Sequence, residues 1–205
     1  MHLSPSKIVC VGRNYAAHAR ELGNEVPKQP LLFLKPPSGL VRSGESIRLP
    51  MVSNRVEYEG EIGVVVGERL RKASPEQARA ALAYVCAVND VTARDLQKSD
   101  VQFTRAKGYD TFCPVGGLAP VPEDLSALRV RTLVNGEVRQ DGAASDMVFD
   151  IPALVAYISA VMTLEPGDLV LTGTPEGVGT LSAGDVVEVE VVGVSRVSNP
   201  VTTEP

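Results

Sequence analysis

The apolar positions of this 205-residue chain fall mostly in short runs, alternating or continuous, that glycine and proline punctuate. That is the pattern of strands joined by turns, with only brief helical stretches between them. KIVCVG (7–12) reads as a buried strand ending at Gly12, and RNYAAHARELG (13–23) as a short helix that Gly23 stops. QPLLFLKPPSGLV (29–41) starts as an apolar strand and breaks at Pro36-Pro37; SGESIRLP then predicts a turn and a short strand. VEYEGEIGVVV (56–66) predicts one strand, with Val56, Tyr58, Ile62 and Val64 on one face and Glu57, Glu59, Glu61 and Val65 on the other. Ser74 followed by Pro75 starts a helix over 75–84. It leads into VCAVND (85–90), a strand ending on a carboxylate, and TARDLQKSDV (92–101) predicts a further short helix.

The stretch 113–127 is loop-rich, and Asn135-Gly136 between LRVRTLV and EVRQDG is a strong hairpin signal. Asp150 caps an apolar helix over 151–162, Pro166-Gly167 turns the chain into DLVLTG (168–173), and DVVEVEVV (185–192) reads as the last strand. Strands outnumber helices and lack βαβ spacing, so the expected class is α+β, β-rich with a few short helices. There is no repeat, low-complexity segment or linker. One catalytic domain over 1–205 is expected, its first 40 residues forming a lid segment that carries the helix at 13–23.

Composition narrows the function. An apolar content of 44% supports a sizeable core, while a net charge of −5, 4% aromatics and no Trp remove both halves of a nucleic-acid-binding signature. No apolar run approaches the ~18 residues of a membrane span, and the run near the N-terminus is too short for a signal peptide. Cys10, Cys86 and Cys113, with no CxxC among them, read as reduced buried thiols of a cytoplasmic protein.

Glu59 and Glu61, two residues apart on a strand, project side by side. Carboxylates that close repel unless a cation lies between them, and a hard cation, Mg²⁺ or Mn²⁺, suits an all-oxygen site. The competing reading, the more common one for such a pattern, is a solvent face of alternating glutamates; Gly60, leaving open backbone for a ligand, and the buried character of IGVVVG weaken it. Asp90 is either a third ligand or the N-cap of the helix starting near Thr92. His18 and Glu21 share a helical face, as a general base and its orienting carboxylate do, or as an exposed histidine and an incidental neighbour do. The other histidine, His2, sits at the terminus. Lys107 reads by itself as a surface lysine. TGTPEGVGT (172–180) lacks the spacing of a P-loop or dinucleotide turn, so it reads as a tight turn offering Thr174 and backbone N–H groups to an anion.

Six segments in order, GRNYAAHARELG, FLKP, EYEGEIGVVVG, NDVTARDLQ, AKGYD and LTGTPEGVG, resemble the fumarylacetoacetate hydrolase superfamily from about Lys7 to about Pro200. The likeness is to its small branch of acylpyruvate hydrolases and oxaloacetate decarboxylases. It implies a β-roll of mixed sheets, usually a homodimer, that binds Mg²⁺ or Mn²⁺ through Glu59, Glu61 and Asp90. It also implies a lid pair of His18 and Glu21, an active-site Lys107, and substrate contacts from Arg13, Gln97 and Thr174. The activity implied is C–C bond hydrolysis of acylpyruvates such as fumarylpyruvate or acetylpyruvate, or decarboxylation of oxaloacetate. Relatives that isomerise or hydrate dienedioates, and a non-catalytic 2-oxo-acid binding module, are the alternatives. Glu57 stands where many relatives have His, an added carboxylate beside the metal pair.

Overall fold

The computed structural model describes residues 3–204, so His2 lies outside them. Among the described residues the chain is β-rich, with mixed, curled sheets and only short helices apart from one. The large sheet has eight strands. Its path runs Leu31–Lys35, Ile8–Gly12, Leu169–Leu171, Gly60–Val66, Leu82–Asn89, Cys113–Val115 and Leu40–Arg42, with Ala119–Pro120 also on the Leu82–Asn89 strand. Two pairings are parallel, Ile8–Gly12 with Leu169–Leu171 and Leu40–Arg42 with Cys113–Val115; the others are antiparallel. A five-stranded sheet runs Glu137–Ala143, Arg129–Val134, Val186–Val191, Ser195–Thr203 and Ile47–Leu49. A third, small sheet joins Gly179–Thr180, Val56–Tyr58 and Thr92–Ala93.

One face of the large sheet presents Val9, Val11, Ile62 and Val64 to Val130, Val189 and Val191 of the five-stranded sheet and to Leu154, Val155 and Ile158 of the helix Ile151–Val161. Burying these branched apolar side chains is what holds the layers together. Its other face packs Ile8, Cys10, Val65, Cys86 and Leu171, with Phe33 at the rim. Local signals account for several boundaries. Ser74 and Gln77 form a reciprocal capping box, Asp150 accepts the Ala153 N–H at 2.8 Å, and Asn135 and Gly136 take the left-handed φ values of 54° and 83° that a two-residue hairpin turn requires. The three cysteines are buried and free.

Four sequence expectations need correcting. Residues 56–66 are two strands in two sheets, broken at Glu59, because the Asn89 side chain accepts the Glu59 N–H at 3.0 Å in place of a ladder partner and lets the chain turn a corner. The helix starting at Pro75 ends at Ala80, and the strand after it begins at Leu82. The helix expected over 92–101 is only Arg94–Ser99, preceded by a bridge of Thr92–Ala93 to Val56–Tyr58. Val186–Val191 is not the last strand: Ser195–Thr203 pairs with it along its whole length, despite a polar sequence that contains Pro200.

Gly60 is glycine for a different reason from the one its position implied. A Cβ there would lie 2.0 Å from Thr132 Oγ1 and 3.2 Å from Val189 Cγ1, so the missing side chain admits the five-stranded sheet rather than a ligand.

Candidate metal centre

The two glutamates that flank Gly60 and the aspartate that follows Leu82–Asn89 meet at the floor of a cleft of about 470 Å³. Glu59 sits at the corner between two sheets, Glu61 on Gly60–Val66, and Asp90 just past the end of the neighbouring strand. All three are buried, and each offers a carboxylate oxygen within 4.8 Å of the others. The solvent-face reading of the glutamates is thereby excluded. So is the cap reading of Asp90: the helix N-cap is Ala93, and both Asp90 oxygens are spent elsewhere.

Those oxygens engage two buried lysines. Lys35 donates to Asp90 Oδ1 at 2.7 Å and to the Val91 carbonyl at 3.1 Å, while Lys107 donates to Asp90 Oδ2 at 2.6 Å and to Glu59 Oε2 at 2.7 Å. Lys107 lies on the short helix Thr104–Lys107 with 2% of its surface exposed, so it is no surface lysine. Its ammonium also lies 5.0 Å from the centre of the Phe33 ring. Arg94 completes the floor. Its Nε donates to Glu57 Oε2 at 2.6 Å, its Nη2 to Glu59 Oε1, and its Nη1 to Gln97 Oε1 at 2.5 Å.

Four buried carboxylates (Glu57, Glu59, Glu61, Asp90) thus face three buried cations (Lys35, Arg94, Lys107). Glu61 is the member without an ion pair; its Oε2 accepts only the Gly173 N–H, at 2.6 Å. Burial, then Asp90 and Glu59, push its carboxyl well above the usual carboxylate range, with Lys107 and the Gly173 N–H opposing. Burial alone would raise Glu59 too, but Lys107 and Arg94 outweigh it and hold that carboxyl far below the usual range. For Lys107, burial would lower the ammonium, yet Asp90 and Glu59 raise it above its ordinary value. An all-oxygen set of three buried carboxylates, one of them without an ion pair, fits a hard divalent cation. Glu57 is the extra carboxylate expected beside the Glu59–Glu61 pair, and Arg94 and Arg55, whose Nε donates to Glu57 Oε1 at 2.5 Å, take both of its oxygens.

The walls carry the remaining expected residues. His18 is buried on the helix Ala16–Glu21, and its Nδ1 lies 3.2 Å from Glu21 Oε2. Glu21 Oε1 accepts the Gly177 N–H at 3.0 Å, tying that helix to the 172–180 turn. Two N–H groups of this turn go to the protein's own carboxylates, Gly173 to Glu61 and Gly177 to Glu21. Thr174 lines the cleft, donating to the Gly60 carbonyl at 2.9 Å and accepting from Gln140 Nε2 at 2.8 Å. Arg13 also lines it, in a left-handed conformation (φ 60°) held by its neighbour Asn14. The Asn14 amide bonds the Phe149 carbonyl and N–H and the Thr172 carbonyl.

The sequence profile of the fumarylacetoacetate (FAA) hydrolase C-terminal family matches residues 7–202. The chain belongs to the fumarylacetoacetate hydrolase family. It is 43% identical over 198 residues to a mitochondrial oxaloacetate tautomerase of Arabidopsis thaliana, covering 94% of this chain and 89% of that one. An oxaloacetate decarboxylase of Dictyostelium discoideum is 42% identical over 194 residues, covering 91% and 89%. Among solved structures, 5-carboxymethyl-2-hydroxymuconate delta-isomerase of Mycobacterium smegmatis superposes with a TM-score of 0.90 at 44% identity, covering 98% of this chain and 80% of that chain. The fumarylacetoacetate hydrolase fold is therefore shown by sequence and by architecture alike, and the chain belongs to a family of enzymes.

All nine residues singled out from the sequence border the one cleft of this fumarylacetoacetate hydrolase family member. Reading the sequence missed Lys35, Arg94 and Gln140. Lys35 lies in FLKP and Arg94 in TARD, both segments of the resemblance, but nothing in their spacing tells a buried cation from an exposed one. Gln140, on a hairpin strand far along the chain, gave no signal at all; it accepts the Gly60 N–H at 2.9 Å and the Thr132 hydroxyl at 2.7 Å while fixing Thr174. Among the described residues no helix is long and apolar enough to cross a membrane.

Proposed function

We propose that this chain catalyses divalent-metal-dependent chemistry on a small 2-oxo acid, decarboxylating or tautomerising oxaloacetate and hydrolysing acylpyruvates. The observation that carries the reading is the convergence of Glu59, Glu61 and Asp90 beneath a cleft whose wall holds the His18–Glu21 pair. A hard divalent cation, Mg²⁺ or Mn²⁺, held by those three carboxylates would supply Lewis-acid withdrawal of electrons from the 2-oxo acid.

The protein's own groups do the rest. In the tautomer that donates Nδ1–H to Glu21, Nε2 is the basic nitrogen of His18, a side chain that lines the cleft. In hydrolysis it takes a proton from the water that attacks the distal carbonyl. The C–C bond then breaks, its electron pair passes to the pyruvate enolate, and the acyl half leaves as a carboxylic acid. Lys107, an ammonium beside the reacting atoms, stabilises developing oxyanion charge. Decarboxylation reaches the same enolate by loss of CO₂ and needs no attacking water; tautomerisation needs only a proton moved from carbon to the keto oxygen, a transfer that falls to His18 in this reading.

One feature of the mouth favours oxaloacetate and fumarylpyruvate over acetylpyruvate. Arg13 and Lys98 line the cleft with no ion-pair or hydrogen-bond partner for either side chain among the described residues, so a second carboxylate finds two free cations there.

The test is a panel of oxaloacetate, acetylpyruvate and fumarylpyruvate with Mg²⁺, with Mn²⁺ and with a chelator. Wild type and His18→Ala are run side by side. Metal-dependent turnover is expected, with hydrolysis falling ~10²-fold or more in the variant and decarboxylation falling less. Absence of metal-dependent loss of every substrate would favour a binding module; equal loss of both reactions would remove His18 as the hydrolytic base.

A further inference from the structure

Glu57 is fully buried and has no place in the chemistry just described. A buried carboxylate is costly unless paired, so its pairing is informative. Its Oε1 takes Arg55 Nε at 2.5 Å from the mouth of the cleft, and its Oε2 takes Arg94 Nε at 2.6 Å from the floor. Arg94 spends its other two nitrogens on Glu59 and on Gln97 Oε1. A guanidinium only donates, so the Gln97 atom facing Arg94 is its oxygen. The Gln97 NH₂ group is then left with no partner among the described residues, on a side chain that borders the cleft.

We infer that Glu57 is a positioning residue which, through Arg94, holds Glu59 in place for the cation and turns the Gln97 amide so that it offers a donor to an acceptor oxygen of the substrate. The inference rests on the metal-dependent reading above. The planar fork of Arg94 has three fixed directions, and a rigid fork is aimed only when its back is held. Glu57 holds the back; Glu59 and Gln97 are what the other prongs aim. Charge acts in the same sense. Without the Glu57 carboxylate, Arg94 leans on Glu59 alone and competes with the cation for it. Glu57 thereby links the exposed Arg55 at the rim to a candidate metal ligand, Glu59, with only Arg94 between them.

The experiment measures Mn²⁺ affinity of the whole chain by calorimetry or electron paramagnetic resonance, without substrate, in wild type and Glu57→Gln. It then measures KM for oxaloacetate in a double-mutant cycle of Glu57→Gln with Gln97→Ala. Loss of a residue that orients a metal ligand costs about 10–100-fold in metal affinity, and that weakening is the result expected. In the cycle, Gln97→Ala should raise KM in wild type and raise it at least ~3-fold less once Glu57 is gone, since the amide is no longer aimed. Unchanged Mn²⁺ affinity in Glu57→Gln overturns the inference, and so do KM effects that simply multiply. Where Glu57→Gln does not fold, Arg94→Lys carries the test: it keeps the charge, cannot fork, and should weaken Mn²⁺ to a similar degree. Failure of wild type to bind Mn²⁺ overturns the metal reading together with this inference. Normal wild-type binding with an unaffected variant overturns the inference alone.

Discussion

Asp141 and Glu59 each lie between two cations, and only Glu59 borders the candidate site. Asp141, on the Glu137–Ala143 strand, takes Arg129 Nε at 2.5 Å and Arg131 Nε at 3.2 Å from the adjacent strand, in water-exposed surroundings. Glu59 takes Lys107 Nζ at 2.7 Å and Arg94, with side-chain exposures of 2% and 4% for those partners. Drawn as contacts, the two look alike. Energetically they differ, because an exposed pair exchanges one solvated arrangement for another, while a buried cluster must recover the cost of desolvating every member. Asp141 and its arginines tidy a sheet surface. The Glu59 cluster keeps charge where charge is expensive, and Glu61 within it has no ion pair.

Substitution at the two carboxylates breaks the comparison most directly. Glu59→Gln leaves Lys107 and Arg94 buried with less to neutralise them and removes one of three candidate ligands. It should cost about 3 kcal/mol of stability in the metal-free protein and abolish measurable Mn²⁺ binding, read by chemical denaturation and calorimetry. Retained Mn²⁺ affinity would show that Glu59 is not a ligand. Packing above the cluster gives the next effect. Gly60→Ala drives a Cβ into Thr132 Oγ1 and Val189, two well-packed partners. A loss of about 1–3 kcal/mol is expected from such overpacking, checked by the denaturation midpoint.

A pH series sharpens the contrast in charge state. Glu61 titrates above its ordinary 4.5 in the folded protein, so the stability it contributes is fully present below 4.5 and is lost as pH rises through the raised value. Glu59 is shifted the other way: its contribution is present above 4.5 and lost only as pH falls through its lowered value. As pH rises from 4.5 toward the raised value of Glu61 the metal-free protein should therefore lose thermal stability, and saturating Mg²⁺ should flatten the profile by holding Glu61 ionised. A metal-free Tm that climbs with pH above 4.5 would contradict the raised titration of Glu61. The smallest effect belongs to the surface: Asp141→Asn should move Tm by no more than about 2 °C and leave Mn²⁺ affinity unchanged.

Much of the architecture is legible in local chemistry. Asn135-Gly136 can take two left-handed φ values in succession, Ser74-Pro75 and Asp150 satisfy the first free N–H groups of their helices, and alternating valines mark strands. Each of these signals works within a few residues. Ser195–Thr203 shows where that ends, since its polar, proline-containing sequence becomes a strand only by pairing with Val186–Val191. The break at Glu59 is similar: alternation runs unbroken through 56–66, and it is the Asn89 side chain, from another strand, that turns the corner.

What the sequence determines by itself is the set of candidate groups and their family: ordered motifs assemble Glu59, Glu61, Asp90, His18, Glu21 and Lys107 as a constellation. Spacing alone left Asp90 between ligand and cap, and Lys107 on the surface. Tertiary structure excluded the cap for Asp90 and buried Lys107, and it set the contacts of Lys35, Arg94, Gln140 and Glu57. The physical reason is that burial and charge pairing are properties of neighbours. Whether a lysine is a solvated point charge or the counterion at the floor of a cleft depends on carboxylates 17 and 48 residues away in the chain, and on the removal of water from around them.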